Sequence, residues 1–431
     1  MGGRLRAIVR RLVTTLAAAL VIGAGGLAAA SAAQSVHWIA SWATAEQTPE
    51  PRNALADAAL TNATLRQTAH VSLGGRRWRL RLSNAFGHAP LSIGAAHVAL
   101  AMAPGSAAID AATDVRVTFD GREDLTVPAG ADYLSDPFQL DAAPGANVAI
   151  SIYLPAAPDG QTAHPGSRTT SYVAQGDQIA ARELAGAQGV EHWFTIAALE
   201  VEAAPDAAAI IILGDSIADG RGTTTNGNDR WSDALAARVA RAGLPLGVLN
   251  FGIGGNRILD DGLGPSALAR FDRDVLAPAG VRYLIVHEGI NDLGTYGNDA
   301  THSDAGHEQL VARLIGAYRQ MIERAHARGM TVIGATLTPF DGPTYHPTAR
   351  GEADRAELNA WIRAPGHFDA VVDFDQAVRD PARPSHLRSD FDSGDGLHPS
   401  PRGYQAMAEA IPLSLFAGAA HAGDHHSEKK R

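Results

Sequence analysis

A serine, an aspartate and a histidine in this sequence have the types and settings of a nucleophile, an acid and a base. Ser216 directly follows an apolar run at residues 207–213 and a Gly-Asp pair. It is therefore expected at the tip of a buried strand, where ligands bind in parallel sheets. Asp395 and His398 stand three residues apart, so the carboxylate can fold back onto the imidazole ring. A ring held in this way can take the proton of a serine hydroxyl. Each segment alone could equally be a plain turn.

Acyl transfer would also need hydrogen-bond donors aimed at a developing oxyanion, and two further segments offer them. Residues 251–256 (FGIGGN) contain three glycines, whose backbone N–H groups a ligand can approach closely. Residues 288–292 (EGIND) include Asn291, whose side-chain amide is a donor. The glycine segment could also be a dinucleotide-binding loop, but Arg257 stands where that motif has its third glycine. We therefore favour oxyanion binding.

Strand-like and helix-like segments alternate in the second half of the chain. Besides residues 207–213, short apolar runs typical of buried strands occupy residues 246–250, 281–287, 331–337 and 368–374. Apolar residues recur at helical spacing within residues 303–329, and further helices are expected at 349–363 and 401–411. This alternation predicts a parallel sheet covered by helices on both faces. The candidate residues should then meet at one edge of the sheet.

The first half of the chain has a different pattern. Between residues 36 and 201, segments such as 78–82, 115–119 and 147–154 alternate apolar and polar residues, which is typical of antiparallel strands with one wet face. Turns rich in glycine and proline separate them at short intervals. We predict an all-β sandwich of jelly-roll type. A row of arginines at residues 76, 77, 79 and 81 could bind a sugar or an acid, although the solvated face of a strand explains it more simply.

Length, charge and composition narrow the classes of function. The 431 residues predict two domains, which we place at residues 34–203 and 207–416. A formal net charge of -10 argues against nucleic acid as the main partner. The sequence has no cysteine, so disulfides, thiolate nucleophiles and cysteine-ligated metals are excluded. No cofactor or metal is expected.

Both ends of the chain are expected to lie outside the folded part. A basic start, an apolar stretch at residues 12–27 and the sequence Ala30-Ser31-Ala32 predict a signal peptide over residues 1–33. We therefore expect a secreted or periplasmic protein with no membrane span in its mature form. An arginine pair at residues 10–11 leaves the choice between general and twin-arginine export open. Residues 417–431 are polar and charged and predict a disordered tail.

Taken together, the four segments resemble the SGNH or GDSL hydrolase superfamily, over about residues 208–415. The resemblance implies a flavodoxin-like α/β three-layer sandwich with a parallel sheet, and a serine that attacks an ester carbonyl. It implies a triad of Ser216, His398 and Asp395, and oxyanion donors from Ser216, Gly255 and Asn291. Gly254 is the alternative to Gly255, because the doubled glycine blurs the alignment. Residues 38–42 and 82–87 resemble the larger secreted bacterial members that carry a β domain ahead of the hydrolase, and some two-domain relatives of this kind deacetylate carbohydrates.

Three functions are weighed on these grounds. The leading hypothesis is a secreted serine esterase for short acyl esters, of small molecules or of carbohydrates. A lipase or phospholipase acting on long chains ranks lower, since no strongly apolar lid segment is evident. A carbohydrate-binding protein with a vestigial hydrolase domain is disfavoured by the intact set of candidate residues. His287 and Glu288 could line the site or pack at a strand end, and both interpretations stay open.

Overall fold

The computed structural model describes residues 36–419, and from Trp38 onward these residues form one compact unit. The predicted signal peptide, residues 1–33, lies outside the described residues, as does most of the predicted tail. The last described element is a 3-10 helix, Leu413–Ala419, so the predicted tail begins within a helical turn. None of the helices between residues 36 and 419 is long and apolar enough to cross a membrane.

The part of the chain from residue 38 to residue 202, here called the sandwich region, has antiparallel strands as almost all of its regular secondary structure. Its strands are β1 (Trp38–Ala43), β2 (Ala63–His70), β3 (Gly75–Ser83), β4 (Leu91–Ile93), β5 (Ala95–Leu100), β6 (Val115–Val117), β7 (Leu125–Val127), β8 (Asp132–Leu134), β9 (Phe138–Ala142), β10 (Asn147–Leu154), β11 (Ala163–His164), β12 (Ser171–Gln175), β13 (Gln188–Val190), β14 (Trp193–Phe194) and β15 (Ile196–Glu202). One short helix, α1 (Asp57–Leu60), and a 3-10 turn, Ala111–Thr113, interrupt them. The prediction of an all-β region is confirmed.

Two sheets of the sandwich region pack face to face. One has the order β1-β15-β3-β8, with β9 also paired to β3, and the other has the order β13-β12-β2-β10-β5-β6. The alternating apolar residues of β3 and β10 point into one shared core, where Trp78, Leu80, Ile150 and Ile152 are almost fully buried. This is the expected use of period-two patterning, in which every second side chain faces the opposite sheet.

Arginines on β3 form ion pairs with carboxylates of the neighbouring strand β15. Arg79 Nε donates to Glu200 Oε2 at 2.5 Å, and Arg81 NH2 donates to Glu200 Oε1 at 2.8 Å. Glu200 is fully buried, so these two guanidinium groups neutralise a carboxylate that would otherwise be costly to bury. Arg79 also lies over the ring of Trp38. Arg77 NH1 donates to Glu202 Oε2 at 2.6 Å, so three of the four arginines have a structural explanation in this sheet.

The second part of the chain, from residue 208 onward and here called the α/β region, contains the predicted parallel sheet. Its strands are β16 (Ala208–Gly214), β17 (Leu246–Gly252), β18 (Val281–His287), β19 (Thr331–Ala335) and β20 (Ala370–Val372), and a small antiparallel pair follows, β21 (Arg379–Asp380) and β22 (Arg383–Leu387). The order β17-β16-β18-β19-β20 is parallel throughout. Numbered along the region this is 2-1-3-4-5, the flavodoxin-like order. The predicted fold class is confirmed.

Helices cover this sheet and mostly begin at side-chain caps. They are α2 (Ser216–Asp219), α3 (Trp231–Arg241), α4 (Ala267–Phe271), α5 (Ile290–Gly297), α6 (Asp304–His326), α7 (Ala349–Arg363), α8 (Phe374–Val378) and α9 (Pro401–Glu409). Ser303, Thr348 and Ser400 cap α6, α7 and α9 by accepting a backbone N–H in the first turn.

Two predicted strands are shorter in the structure than in the sequence analysis. Pairing of β19 ends at Ala335 and pairing of β20 ends at Val372. The side chain of Asp373 accepts the backbone N–H of Gln376 and so starts α8 at the point where the apolar run continues. The apolar run that begins in β20 therefore continues into α8, which is also buried. An apolar run alone does not show where the strand ends and the helix begins.

The sandwich region and the α/β region are joined along β17. Strand β1 packs against β17, and the Ser72 hydroxyl accepts the backbone N–H of Val248 at 2.8 Å. A Cβ atom at Gly247 would lie 2.2 Å from the carbonyl oxygen of Ala40, so only glycine permits this approach. The outer strand of the parallel sheet is thus covered by the sandwich region, which protects an edge that would otherwise be open to other strands. The boundary predicted at residues 203–207 falls between β15 and β16, and the separate folding of two domains stays a prediction.

Candidate active site

Ser216 lies at the carboxyl end of β16, on the first turn of α2. The Asp215 side chain starts that turn by accepting the N–H of Ile217 at 2.8 Å, and Gly220 ends it in a left-handed conformation. A Cβ atom at Gly214 would lie 2.6 Å from the Ala218 side chain. The Gly-Asp-Ser segment therefore turns the chain sharply enough to bring a serine, itself 5% exposed, to the end of the sheet.

His398 reaches Ser216 from the loop before α9. Its Nε2 lies 2.8 Å from Ser216 Oγ, and its Nδ1 lies 2.6 Å from Asp395 Oδ2. The second carboxylate oxygen of Asp395 accepts the backbone N–H groups of Leu397 and His398, at 3.1 and 2.9 Å. The structure thus brings together the three side chains that the sequence analysis selected as nucleophile, base and acid.

The electrostatics of this pair favour an ionised carboxylate. Burial opposes ionisation of Asp395, but hydrogen bonds from the His398 ring and from two backbone N–H groups outweigh it, and its pKa lies below the ordinary value. A carboxylate can only accept hydrogen bonds, so Nδ1 of His398 carries the proton. Its Nε2 then has a free lone pair facing the Ser216 hydroxyl.

Backbone donors surround the same point. The N–H groups of Ser216, Gly254 and Gly255 have no acceptor within residues 36–419. All three residues line the cavity that contains Ser216 and His398. Gly255 adopts φ 72°, which a residue with a side chain rarely adopts. Both glycines of the doubled pair remain available as donors.

Asn291 is the fourth donor at this site. It follows β18 on the first turn of α5, is 4% exposed and lines the same cavity. Its amide nitrogen donates to the carbonyl oxygen of Asn256 at 2.8 Å, and its amide oxygen accepts the hydroxyl of Tyr345 at 3.0 Å. Tyr345 was missed by the sequence analysis, because nothing in its neighbourhood marks it.

Arg270 on α4, also missed, connects the strand ends beneath the site. Its guanidinium donates to the carbonyl oxygens of Gly214 and Phe251, at 3.0 and 2.6 Å, and to Asn256 Oδ1 at 3.0 Å. Asp274 pairs with it at 2.9 Å. Because Arg270 is 1% exposed, this charge-assisted network is desolvated and holds the ends of β16 and β17 in a fixed relation.

His287 and Glu288 pack beneath the site and do not line the cavity. Both are almost fully buried, His287 lies against the ring of Phe374, and Glu288 Oε2 lies 3.7 Å from Arg270. Burial lowers the pKa of His287 to about 4 and raises that of Glu288. Of the two interpretations left open by the sequence, strand-end packing is the one the structure supports.

The sandwich region supplies part of the site, which the sequence did not reveal. His164 Nε2 lies 2.8 Å from Asp219 Oδ1 on α2, and His164 Nδ1 lies 2.6 Å from the carbonyl oxygen of Ala45. Both side chains of the pair are almost fully buried. The carbonyl oxygen can only accept a hydrogen bond, so Nδ1 of His164 donates to it. The turn that carries Ser216 is therefore anchored to the sandwich region.

The cavity at Ser216 has a volume of about 470 Å³ and is largely polar. Its walls from the sandwich region are Gln47, Glu50, Arg52, Asn53, Pro165, Gly166, Arg168, Glu191 and His192. Its walls from the α/β region include Arg221, Leu263, Thr344, Tyr345 and Leu397 besides the residues already described. Arg168 stands out, since its backbone has φ 48° and its buried Nε has no hydrogen-bond partner in the part of the chain that the structure describes.

No group of three or more histidine, aspartate or glutamate side chains between residues 36 and 419 is arranged to hold a metal ion.

Residues 212–406 match the GDSL-like Lipase/Acylhydrolase family. Among solved structures, the chain is similar to Est24, a carbohydrate acetylesterase from Sinorhizobium meliloti, with 14% identity, 49% of this chain and 99% of that chain covered, and a TM-score of 0.37. It is similar to the acetyl xylan esterase AlAXEase, with 17% identity, coverage of 49% and 98%, and a TM-score of 0.36. It is also similar to a lipase/acylhydrolase from Enterococcus faecalis, with 22% identity, coverage of 49% and 96%, and a TM-score of 0.35. No curated protein matches the chain.

Proposed function

We propose that this chain, a carboxylic ester hydrolase that belongs through residues 212–406 to the GDSL-like lipase/acylhydrolase family, is a serine esterase for short acyl esters of polar alcohols. The observation that carries the proposal is the continuous hydrogen-bonded line from Ser216 through His398 to Asp395, at 2.8 and 2.6 Å. Backbone N–H groups beside this line have no acceptor within residues 36–419 and can bind the oxyanion, which acyl transfer also requires.

In this proposal Ser216 Oγ attacks the carbonyl carbon of the ester while His398 Nε2 takes the hydroxyl proton. The carbonyl oxygen becomes an oxyanion, which the N–H groups of Ser216, Gly255 and Asn291 bind. His398 then gives its proton to the alcohol oxygen as the ester C–O bond breaks, leaving an acyl-enzyme. A water molecule repeats the sequence, giving one proton to His398, and releases the acid while Ser216 regains its hydrogen.

The character of the cavity supports short acyl groups and a polar leaving alcohol. Charged and amide side chains of the sandwich region form one wall, and the apolar side chains are few, chiefly Leu263 and Leu397. A long hydrocarbon chain would have to desolvate Arg168 and Glu191 without pairing them, which is costly. A carbohydrate hydroxyl group offers those side chains hydrogen bonds. This favours an esterase acting on small-molecule or carbohydrate esters over a lipase, and the intact line of hydrogen bonds disfavours a vestigial hydrolase.

Export is part of the same proposal. The basic start, the apolar stretch and the A-x-A sequence within residues 1–33 support a secreted or periplasmic location. N-terminal sequencing of the exported protein is expected to begin near Gln34, and a first residue within the apolar stretch would contradict it.

The test is hydrolysis of p-nitrophenyl esters of graded chain length by the wild type and by Ser216→Ala. We expect kcat/KM to be highest from acetyl to butyryl, and kcat to fall by about 10⁴–10⁶ in the variant, because the nucleophile is lost. Ser92→Ala, which removes an exposed hydroxyl on β4, is the matched control and should retain full activity.

Equal rates in the wild type and Ser216→Ala would contradict the serine mechanism. A preference for palmitoyl over acetyl esters would favour the lipase instead. Acetate release from acetylated polysaccharides, measured in parallel, tests the carbohydrate leaving group.

A further inference from the structure

The side-chain amide of Asn291 is held on two sides. The carbonyl oxygen of Asn256 can only accept a hydrogen bond, so the amide nitrogen must face it, and the two atoms lie 2.8 Å apart. The amide oxygen then faces the hydroxyl of Tyr345, at 3.0 Å. An amide carries two N–H bonds, and only one of them is used. The second has no acceptor within residues 36–419 and belongs to a side chain that lines the cavity with Ser216 and His398.

Tyr345 is itself fixed in place. It comes from the loop between β19 and α7, and its ring lies against α5, where a Cβ atom at Gly294 would be 2.5 Å from the ring. Phe340 packs edge-on against the same ring. Because Gly294 has no side chain, the ring of Tyr345 can occupy the space beside α5.

The hydroxyl of Tyr345 stays protonated and donates a hydrogen bond to Asn291 Oδ1. Burial raises the pKa of Tyr345 above its ordinary value, so the hydroxyl keeps its proton throughout the neutral and alkaline range of an esterase assay. The proton lies on the tyrosine side of the contact, because a primary amide oxygen can only accept.

We propose that Tyr345 is a positioning residue that aims the free N–H of Asn291 at the oxyanion. This inference rests on the proposed function and adds to it a residue that touches the asparagine but not the reacting atoms. Without the phenol hydroxyl, the amide oxygen is left without a partner in a nearly buried site, and the amide can rotate about its last side-chain bond. The donor then points at the oxyanion only part of the time.

The experiment compares wild type, Tyr345→Phe, Asn291→Ala and the double variant on p-nitrophenyl acetate. Loss of an oxyanion donor costs about 10²–10³ in kcat, and a donor that is present but loosely aimed should cost less, roughly 10-fold. We expect kcat to fall in Tyr345→Phe with KM nearly unchanged. Adding Tyr345→Phe to Asn291→Ala should have almost no further effect, since the residue acts through the asparagine. A short alkylboronic acid, which forms a tetrahedral adduct on the serine, should bind Tyr345→Phe more weakly by a similar factor.

The matched control is Tyr153→Phe. The hydroxyl of Tyr153 donates to Asn62 Oδ1 at 2.9 Å in the sandwich region, so this variant loses the same type of hydrogen bond away from the cavity. It should keep the wild-type kcat, and thermal melts of all variants show whether folding is intact.

Three results would overturn the inference while the proposed function stands. These are an unchanged kcat in Tyr345→Phe, a change confined to KM, and losses that multiply in the double variant. Hydrolysis that does not depend on Ser216 would instead remove the proposed function, and the role of Tyr345 with it.

Discussion

At the scale of single residues, the hydrogen bonds of Asp395 decide which nitrogen of His398 carries the proton. One carboxylate oxygen accepts two backbone N–H groups, and the other faces Nδ1. A replacement of the same shape as Asp395 must place an oxygen, and not an NH2 group, towards those two N–H groups. The geometry therefore dictates what each substitution does to the ring.

Asp395→Asn should be more damaging than its similarity in shape implies. The amide oxygen will face the two backbone N–H groups, so its NH2 group faces Nδ1 of His398 and forces the ring proton onto Nε2. That tautomer cannot accept the proton of Ser216, and kcat should fall by about 10⁴. Asp395→Ala imposes no tautomer and should retain more activity than Asp395→Asn, measured as kcat on p-nitrophenyl acetate.

Two comparisons complete this test. Combining Asp395→Asn with His398→Ala should add little to the loss from His398→Ala alone, because the two residues act as one unit. Circular dichroism confirms folding of each variant. Greater activity in Asp395→Asn than in Asp395→Ala, or losses that multiply, would mean that the two side chains are not catalytic partners.

At the scale of elements, the sequence predicted which loops converge but not the contacts between them. Parallel strands present their carboxyl ends at one edge, so a serine, a glycine loop and an asparagine after β16, β17 and β18 could be expected to meet. The fold class is confirmed, and residues 212–406 match the model of the predicted family. Tyr345, Arg270 and His164 were not predictable, because each contacts a residue far along the chain, and no periodic pattern links a sandwich loop to α2.

The helix that carries Ser216 is wedged between two elements. A Cβ atom at Gly252, at the end of β17, would lie 2.3 Å from the backbone N of Asp219, and one at Gly166 would lie 1.8 Å from Asp219 Oδ2. The turn after Ser216 thus has the parallel sheet on one side and the sandwich loop on the other. This loop also contributes a carbonyl oxygen, that of Ser167, which binds the guanidinium of Arg230.

Gly166→Ala should reduce activity without removing any group that touches substrate. The new methyl must displace the Asp219 carboxylate and so break its contact with His164, which shifts the turn that holds Ser216. Misplacing a reacting group by about 1 Å can cost on the order of 10²-fold, and we expect kcat to fall by roughly 10- to 100-fold.

The matched control is Gly316→Ala in α6, where the new methyl would meet nothing within 4 Å. That variant should keep full kcat and gain about 0.5–1 kcal/mol in unfolding free energy. Activity in Gly166→Ala equal to that of Gly316→Ala would mean that the sandwich loop does not position the serine.

At the scale of the whole molecule, several buried carboxyls make stability depend on pH. Glu46, where the sandwich region meets the α/β region, is 3% exposed, and Glu46 Oε1 has no hydrogen-bond partner among the described residues. Burial, reinforced by the nearby Asp132, raises the pKa of Glu46 from 4.5 to about 8. Burial likewise raises the pKa of Asp292 from 3.8 to about 6. The folded state therefore holds protons that the unfolded chain releases.

The sign of the effect follows from linkage. Between pH 4.5 and about 8, Glu46 is protonated in the folded state and ionised in the unfolded state, so stability falls as pH rises through that window. His287 acts in the opposite sense, because burial lowers its pKa from 6.5 to about 4 and the unfolded chain takes up the proton first as pH falls. Maximum stability should therefore lie at mildly acidic pH.

Glu46→Gln isolates the contribution of one carboxyl. The amide cannot ionise, so the fall in Tm between pH 5 and pH 8 should be shallower than in the wild type, and Tm at pH 8 should be higher. Glu357→Gln, an exposed change on α7, should leave the slope unchanged. Parallel curves for the wild type and Glu46→Gln would contradict a buried neutral carboxyl at this position.

The placement of β1 has a consequence for the order of assembly during synthesis. This strand leaves the ribosome early, yet it pairs with β15, residues Ile196–Glu202, and packs against β17, residues Leu246–Gly252. Strand β15 emerges only after most of the sandwich region has been made. Strand β17 emerges later still, after β16, the first strand of the parallel sheet. The contacts of β1 with both neighbours can therefore form only after β17 has been made. Within residues 36–419, the first strand is among the last to find its place, and closing so long a loop makes folding slow.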